Sequence, residues 1–174
     1  MTRGSDFHCT IWEAGRATSA ASSFFDPIAI GPFGEQFIDG AMGRNNPVYE
    51  VLSEAKDIWQ DADRRIQCLV SIGTGQPDLQ EFGGNIVDIM KTIVRIATDT
   101  EDTARKFARE NQELRNNGCY FRFNVDKGLA EVGLEEYKKM DVIAANTRRY
   151  LEGEEISGQI AGCSKSILGN SLCM

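Results

Sequence analysis

Phe37-Ile38-Asp39-Gly40-Ala41-Met42-Gly43-Arg44-Asn45-Asn46-Pro47 reads as a strand end, a tight turn and a helix start. Gln36, Phe37 and Ile38 suit a short strand. Gly40 and Gly43 supply the backbone freedom that an irregular turn needs. Asn46 can cap free helix amides, and Pro47 suits the first helical position. Val48, Val51, Leu52, Ala55, Ile58 and Trp59 then form one apolar stripe at helical spacing.

The same alternation of strand and helix extends in both directions. Upstream, a helix is expected over 11–25, stopped by Asp26-Pro27, because the residue before proline avoids helical geometry. Residues 30–35, marked by Gly31-Pro32 and Gly34, read as loop. Downstream, 66–72 is a buried strand closed by Gly73-Thr74-Gly75. A long helix is expected over 86–115, with an apolar face over 86–97 and a charged, solvated part from Glu101 to Arg115. Asn116-Asn117-Gly118 ends it. Residues 120–125 alternate, with Phe121, Phe123 and Val125 on one face and Arg122 and Asn124 on the other. Amphipathic helices follow over 134–151 and 156–168, and 169–174 reads as a frayed tail. The pattern predicts an α/β chain, a short sheet flanked by helices, with no clear linker dividing it.

Composition removes several function classes. Of 174 residues, 41% are hydrophobic, enough for a real core. The net charge of -7 offers no positive footprint for nucleic acid, so no nucleic-acid partner is expected. His8 is the lone histidine, and no two of Cys9, Cys68, Cys119, Cys163 and Cys173 form a C-x-x-C pair. No metal site is expected, and the cysteines read as scattered thiols of a reducing compartment. No run of apolar residues is long enough to span a bilayer, and the first residues lack an apolar signal core. A cytoplasmic protein is expected, with peripheral contact to membranes left open.

Asp39 is the foremost candidate for chemistry. A carboxylate at the end of a strand can take a proton from a hydroxyl within reach. By pattern alone, a strand-end Asp-Gly is more often a turn, with Asp bonding its own backbone and Gly taking the positive φ angle. Thr18 and Ser19 read first as packing residues of a helix near the site. Gly73-Thr74-Gly75 reads as strand-end geometry before it reads as a phosphate cradle. The apolar face over 86–97, with Lys91 and Arg95 opposite, reads as core before it reads as a lipid contact.

Three blocks stand in order: Ile11-Trp12-Glu13-Ala14-Gly15-Arg16-Ala17-Thr18-Ser19-Ala20-Ala21, the Phe37 to Pro47 stretch, and Val70-Ser71-Ile72-Gly73-Thr74-Gly75. Together they resemble the patatin-like phospholipase family. Asp39, Gly40 and Ala41 match its D-G-G/A motif, followed by Asn45-Asn46-Pro47, and Gly15 replaces a usual alanine. Residues 120–151 resemble the extension of fungal-type members. The resemblance implies a partial patatin-like layered domain, its C-terminal part, over 1–80, and a helical extension with one strand over 81–174. It implies lipid ester hydrolysis by a Ser–Asp dyad, with Asp39 as general base, a glycine-rich oxyanion loop, no cofactor and no metal. Asn45, Asn46 and Pro47 would form the turn and helix cap.

The nucleophile is not in this sequence. The family's G-x-S-x-G elbow precedes its aspartate, and none stands before Asp39. Gly162-Cys163-Ser164-Lys165-Ser166 and Gly169-Asn170-Ser171-Leu172-Cys173 lack the final glycine and lie after it. The 174 residues alone are therefore expected to be inactive. The alternative function is a non-catalytic remnant that binds a partner or a lipid surface. Protein partners are left unknown. Either way, apolar faces around Trp12 and Val51 are expected to lie exposed.

Overall fold

Thr10 opens the first helix with a reciprocal cap. Its hydroxyl accepts from Glu13 N, and the Glu13 carboxylate accepts from Thr10 N at 2.8 Å. The Thr10 hydroxyl, donating to the Glu13 carboxylate at 2.6 Å, and then Thr10 N hold that carboxyl below its ordinary pKa. The computed structural model describes residues 8–21, 25–76, 87–129, 132 and 137–169, and only the backbone of Met42, 87–97 and Tyr137. Two compact units divide the chain, 1–45 and 46–174.

In the first unit, helix α1 covers Ile11–Ala17 and stops well short of the expected 11–25. Thr18 and Ser19 turn their hydroxyls back on Ala14 O, at 3.0 Å, and Gly15 O, at 2.7 Å. Such local bonds compete with the helical ladder. Strand β1 (Ile28–Ile30) pairs antiparallel with β2 (Glu35–Phe37), Ile28 opposite Phe37 and Ile30 opposite Glu35. The 30–35 loop is thus a hairpin turn, bent through Gly31 and Gly34, both at positive φ. A one-turn helix α2 (Ala41–Arg44) closes the unit.

In the second unit, helix α3 (Val48–Ile58) and a one-turn α4 (Ala62–Arg65) lead into β3 (Leu69–Ile72). Helix α5 (Val87–Glu110) crosses over and is followed by α6 (Gln112–Asn116), so the expected single helix is broken. The break falls at Asn111, whose side chain donates to Phe107 O at 3.0 Å. Strand β4 (Tyr120–Phe123) then lies parallel to β3, Leu69 opposite Tyr120 and Ile72 opposite Phe123. A 3-10 turn at Tyr137–Lys139 precedes α7 (Met140–Leu151), and α8 (Glu154–Ile167) ends the described chain. The architecture is mixed α/β, short sheets flanked by helices, as the pattern predicts. The apolar face expected over 86–97, the start of the 134–151 helix and the tail beyond 169 lie outside the described side chains.

Phe107 is the centre of the core. It is fully buried among Val48, Leu52 and Tyr120. Its ring meets Tyr49 edge-on at 5.0 Å and Tyr120 at 4.9 Å. The Tyr49 hydroxyl donates to Glu110 at 2.5 Å, and burial, then that bond, pushes the phenol up to about 12. The charged half of the long helix is therefore not wholly solvated: Ala104 and Phe107 are buried within it. The apolar exposure expected around Trp12 and Val51 is present, at 66% and 48%.

Replacing Phe107 by alanine removes the ring that Val48, Tyr49, Leu52 and Tyr120 share. Phe107→Ala is expected to lower the unfolding free energy of the chain by about 3–5 kcal/mol. Urea unfolding followed by circular dichroism measures it; a loss below about 1 kcal/mol would show that the core lies elsewhere.

Candidate functional site

The end of β2 fixes the position of Asp39. Asp39 N donates to Ala20 O at 3.0 Å, tying the turn to the chain that follows α1. The carboxylate is half-buried, and Oδ1 accepts from Ala41 N at 2.7 Å. That is the geometry of an Asx turn, which also aims the side chain. Among the described residues, no hydroxyl donates to Asp39. Gly43, inside α2, stands at φ 115, a backbone conformation that favours glycine.

The Ile11 to Ala21 block contributes structure to this unit. The Arg16 guanidinium donates to Asp26 O at 2.7 Å and lies 5.7 Å from the centre of the Phe25 ring. Thr18 and Ser19 spend their hydroxyl hydrogens on helix carbonyls, which favours packing over chemistry for both. Sequence reasoning gave Arg16 no individual role; its place in the helical motif was the only signal.

In the second unit, Asn46 and Ser71 belong to a sheltered polar network. Asn46 is buried; its Oδ1 accepts from Val48 N at 3.4 Å and from the Ser71 hydroxyl at 3.2 Å. Its amide donates to Thr100 O at 3.4 Å. The Arg122 guanidinium reaches Ser71 Oγ at 3.1 Å and Glu101 Oε1 at 2.5 Å. Asn124 donates to the same Glu101 oxygen at 2.8 Å and accepts from Gly75 N at 2.7 Å. Pro47 is the residue from which α3 starts, and Asn45 the one at which α2 ends.

This network corrects the reading of Glu101 as part of a solvated stretch, and shows that the β4 face carrying Arg122 and Asn124 is covered. The Arg122 and Glu101 side chains are only 14% and 20% exposed. Alternation along β4 separated Arg122 from Phe121 and Phe123 but could not tell that α5 covers the second face. The network also explains two glycines. A Cβ at Gly73 would collide with the side chains of Asn124 and Arg122. At Gly75, φ is 102 and the Leu129 side chain crowds the position. Gly73 N donates to Phe123 O and Gly75 N to Asn124, so neither amide is available to cradle a phosphate. Strand-end geometry accounts for the Gly-Thr-Gly sequence.

Open hollows occur among the described residues of the second unit. One, of about 510 Å³, is lined by Val51, Leu52, Trp59, Ile66, Cys68 and Ile167. Another, of about 490 Å³, is lined by Met140, Ile143, Thr147 and Leu151. Both are mainly apolar. Among the described residues no group of His, Cys, Asp and Glu side chains could hold a metal ion. Among the same residues no helix is long and apolar enough to cross a membrane. Cys9, Cys68 and Cys163 carry free thiols, whereas Cys119 is disulfide-bonded, which corrects the reading of all five as thiols.

Over 151 residues, 83% of the chain, the sequence is 31% identical to calcium-independent phospholipase A2-gamma of Oryctolagus cuniculus. The protein of the same name from Mus musculus is 32% identical over 82% of the chain. Phospholipase A I of Arabidopsis thaliana is 32% identical over 66% of it. The chain is a relative of these phospholipases. They support the patatin-like family without singling out its fungal-type members. The chain spans 18% of the length of the mammalian relatives and 8% of the plant one. No family model matches the chain, and no solved structure does.

The polar network yields a stability prediction. Glu101→Leu leaves the Arg122 guanidinium sheltered and unpaired, and is expected to cost about 3 kcal/mol. Adding Arg122→Met should recover most of that loss. Asp102→Ala breaks an ion pair to Arg105 that is 66% and 69% exposed, and should change stability by less than about 0.5 kcal/mol. Chemical denaturation of the three variants decides; equal losses in Glu101→Leu and Asp102→Ala would refute the assignment.

Proposed function

We propose that this chain is the C-terminal part of a patatin-like lipid acyl hydrolase, with Asp39 as the general base of a Ser–Asp dyad. The observation that carries the reading is similarity to proteins named as phospholipases over more than four-fifths of the chain. The Asp39-Gly40-Ala41 turn, with its carboxylate held at one oxygen by Ala41 N, is compatible with the role. So is the β3–β4 pair. Parallel strands usually lie inside larger sheets covered on both faces, yet Ile72 is 77% exposed. Polypeptide outside these residues would cover it.

In this mechanism a serine on a G-x-S-x-G elbow, supplied by that further polypeptide, attacks the ester carbonyl of a lipid. Asp39 takes the hydroxyl proton as the carbon–oxygen bond forms. It then returns the proton to the departing alcohol, leaving an acyl-enzyme for water to cleave. Residues 1–80 would belong to the catalytic domain and 81–174 to a helical extension, with 120–151 as its fungal-type part. The protein would work in the cytoplasm and meet membranes peripherally, without metal or cofactor.

Fluorophosphonate labelling of the native protein from its source, followed by intact mass, tests the reading. The expected result is an adduct on a serine in a protein longer than 174 residues. In that protein Asp39→Asn should lower ester turnover by about 10²–10⁴-fold while the melting temperature holds. The 174 residues by themselves should show no turnover. An absent adduct would instead leave a binding module without chemistry, and full activity in Asp39→Asn would remove Asp39 from the role of base.

A further inference from the structure

Cys68 and Cys163 are 95 residues apart in sequence, yet their sulfurs lie 3.8 Å from each other. Cys68 sits just before β3, and Cys163 is buried on the inner side of α8. Both thiols are free. We propose that Cys68 and Cys163 form an oxidation site at which a peroxide closes an intramolecular disulfide between the start of β3 and α8.

Three observations support the pair. A covalent S–S bond is about 2.05 Å, so each sulfur need move by only about 1 Å to close it. The partners are already held in place. Ser166, on the next turn of α8, is buried and donates to Gly118 O at 2.8 Å, fixing the helix beside the start of β4. Cys68 is also reachable, because it lines the hollow of about 510 Å³, which is wide enough for hydrogen peroxide. A metal is a poor alternative occupant, since among the described residues no third ligand completes a site.

The chemistry balances with a peroxide as oxidant. One thiolate attacks hydrogen peroxide, takes one oxygen as a sulfenic acid and releases hydroxide, which is protonated to water. The second thiol attacks that sulfur and displaces the oxygen as a second water. Two thiols and one peroxide give one disulfide and two waters; sulfur is oxidised and peroxide oxygen reduced. Burial, reinforced by the neighbouring Cys163 sulfur, pushes the Cys68 thiol up to about 11. Little thiolate is present at neutral pH, so the bond forms under sustained rather than brief exposure.

The test is to treat the 174-residue chain with hydrogen peroxide under native conditions, alkylate the remaining thiols and map the peptides. The expected product joins the Cys68 and Cys163 peptides and has lost two hydrogens. Its melting temperature should rise by on the order of 5 °C, because a long loop is closed. Cys163→Ala, and separately Cys68→Ser, should abolish both the joined peptide and the rise under the same treatment. Recovery of both cysteines as separate alkylated peptides after Cys9 has been consumed would overturn the proposal. So would the mixed pairings that the chain gives when oxidised in denaturant.

Discussion

The Arg122 guanidinium is the constraint on which the larger unit depends. It is a permanent charge largely removed from water, and an unanswered charge in that position would cost several kcal/mol. Glu101 on α5 answers it directly, and Ser71 on β3 accepts from its other arm. From there the bonds continue to Asn46, at the start of α3, and to Asn124, beyond β4. One cation therefore sets the spacing of two strands and two helices at once. Each partner also has another bond within the group, so shifting one element disturbs the others. The apolar packing around Phe107 supplies bulk on the same scaffold, but it does not dictate register as directed hydrogen bonds do.

Much of this order is legible in the residues. The apolar run into Ser71 and Ile72 and the alternation from Tyr120 to Val125 locate both parallel strands within a few residues. The stripe from Val48 to Trp59 locates α3. What escapes is what depends on neighbours. The three residues of β1 carry too little pattern to be told from loop, and only pairing with β2 makes them a strand. Thr18 and Ser19 end α1 early because their hydroxyls prefer the helix carbonyls. Asn111 interrupts the long helix by the same kind of local bond. Alternation shows that Arg122 and Asn124 share a face, but not that another helix covers that face.

The candidate site is legible in a different sense. Motif order picks out Asp39, while its local geometry suits two roles at once. A carboxylate held by the amide two residues on is both a turn brace and a side chain with one oxygen at a fixed heading. Preorganisation of a base requires that kind of support, so bracing and chemistry need not compete. The glycines of Gly73-Thr74-Gly75 teach the converse. They look like a ligand cradle in one dimension, and are explained by the side chains of Arg122, Asn124 and Leu129 crowding against them.

The long path between the two parallel strands affects how the chain is made. Leu69 pairs with Tyr120, and everything between them must be synthesised before that pairing exists. Helices such as α3 and α5 are local and can form within microseconds, while distant strand pairing pays loop closure first. During translation, at about 5–20 residues per second, β3 therefore waits some seconds for its partner β4. In that interval the nascent chain is open to association with other chains along its backbone. Chaperone shielding of a ribosome-bound chain would matter most between the emergence of β3 and the emergence of β4.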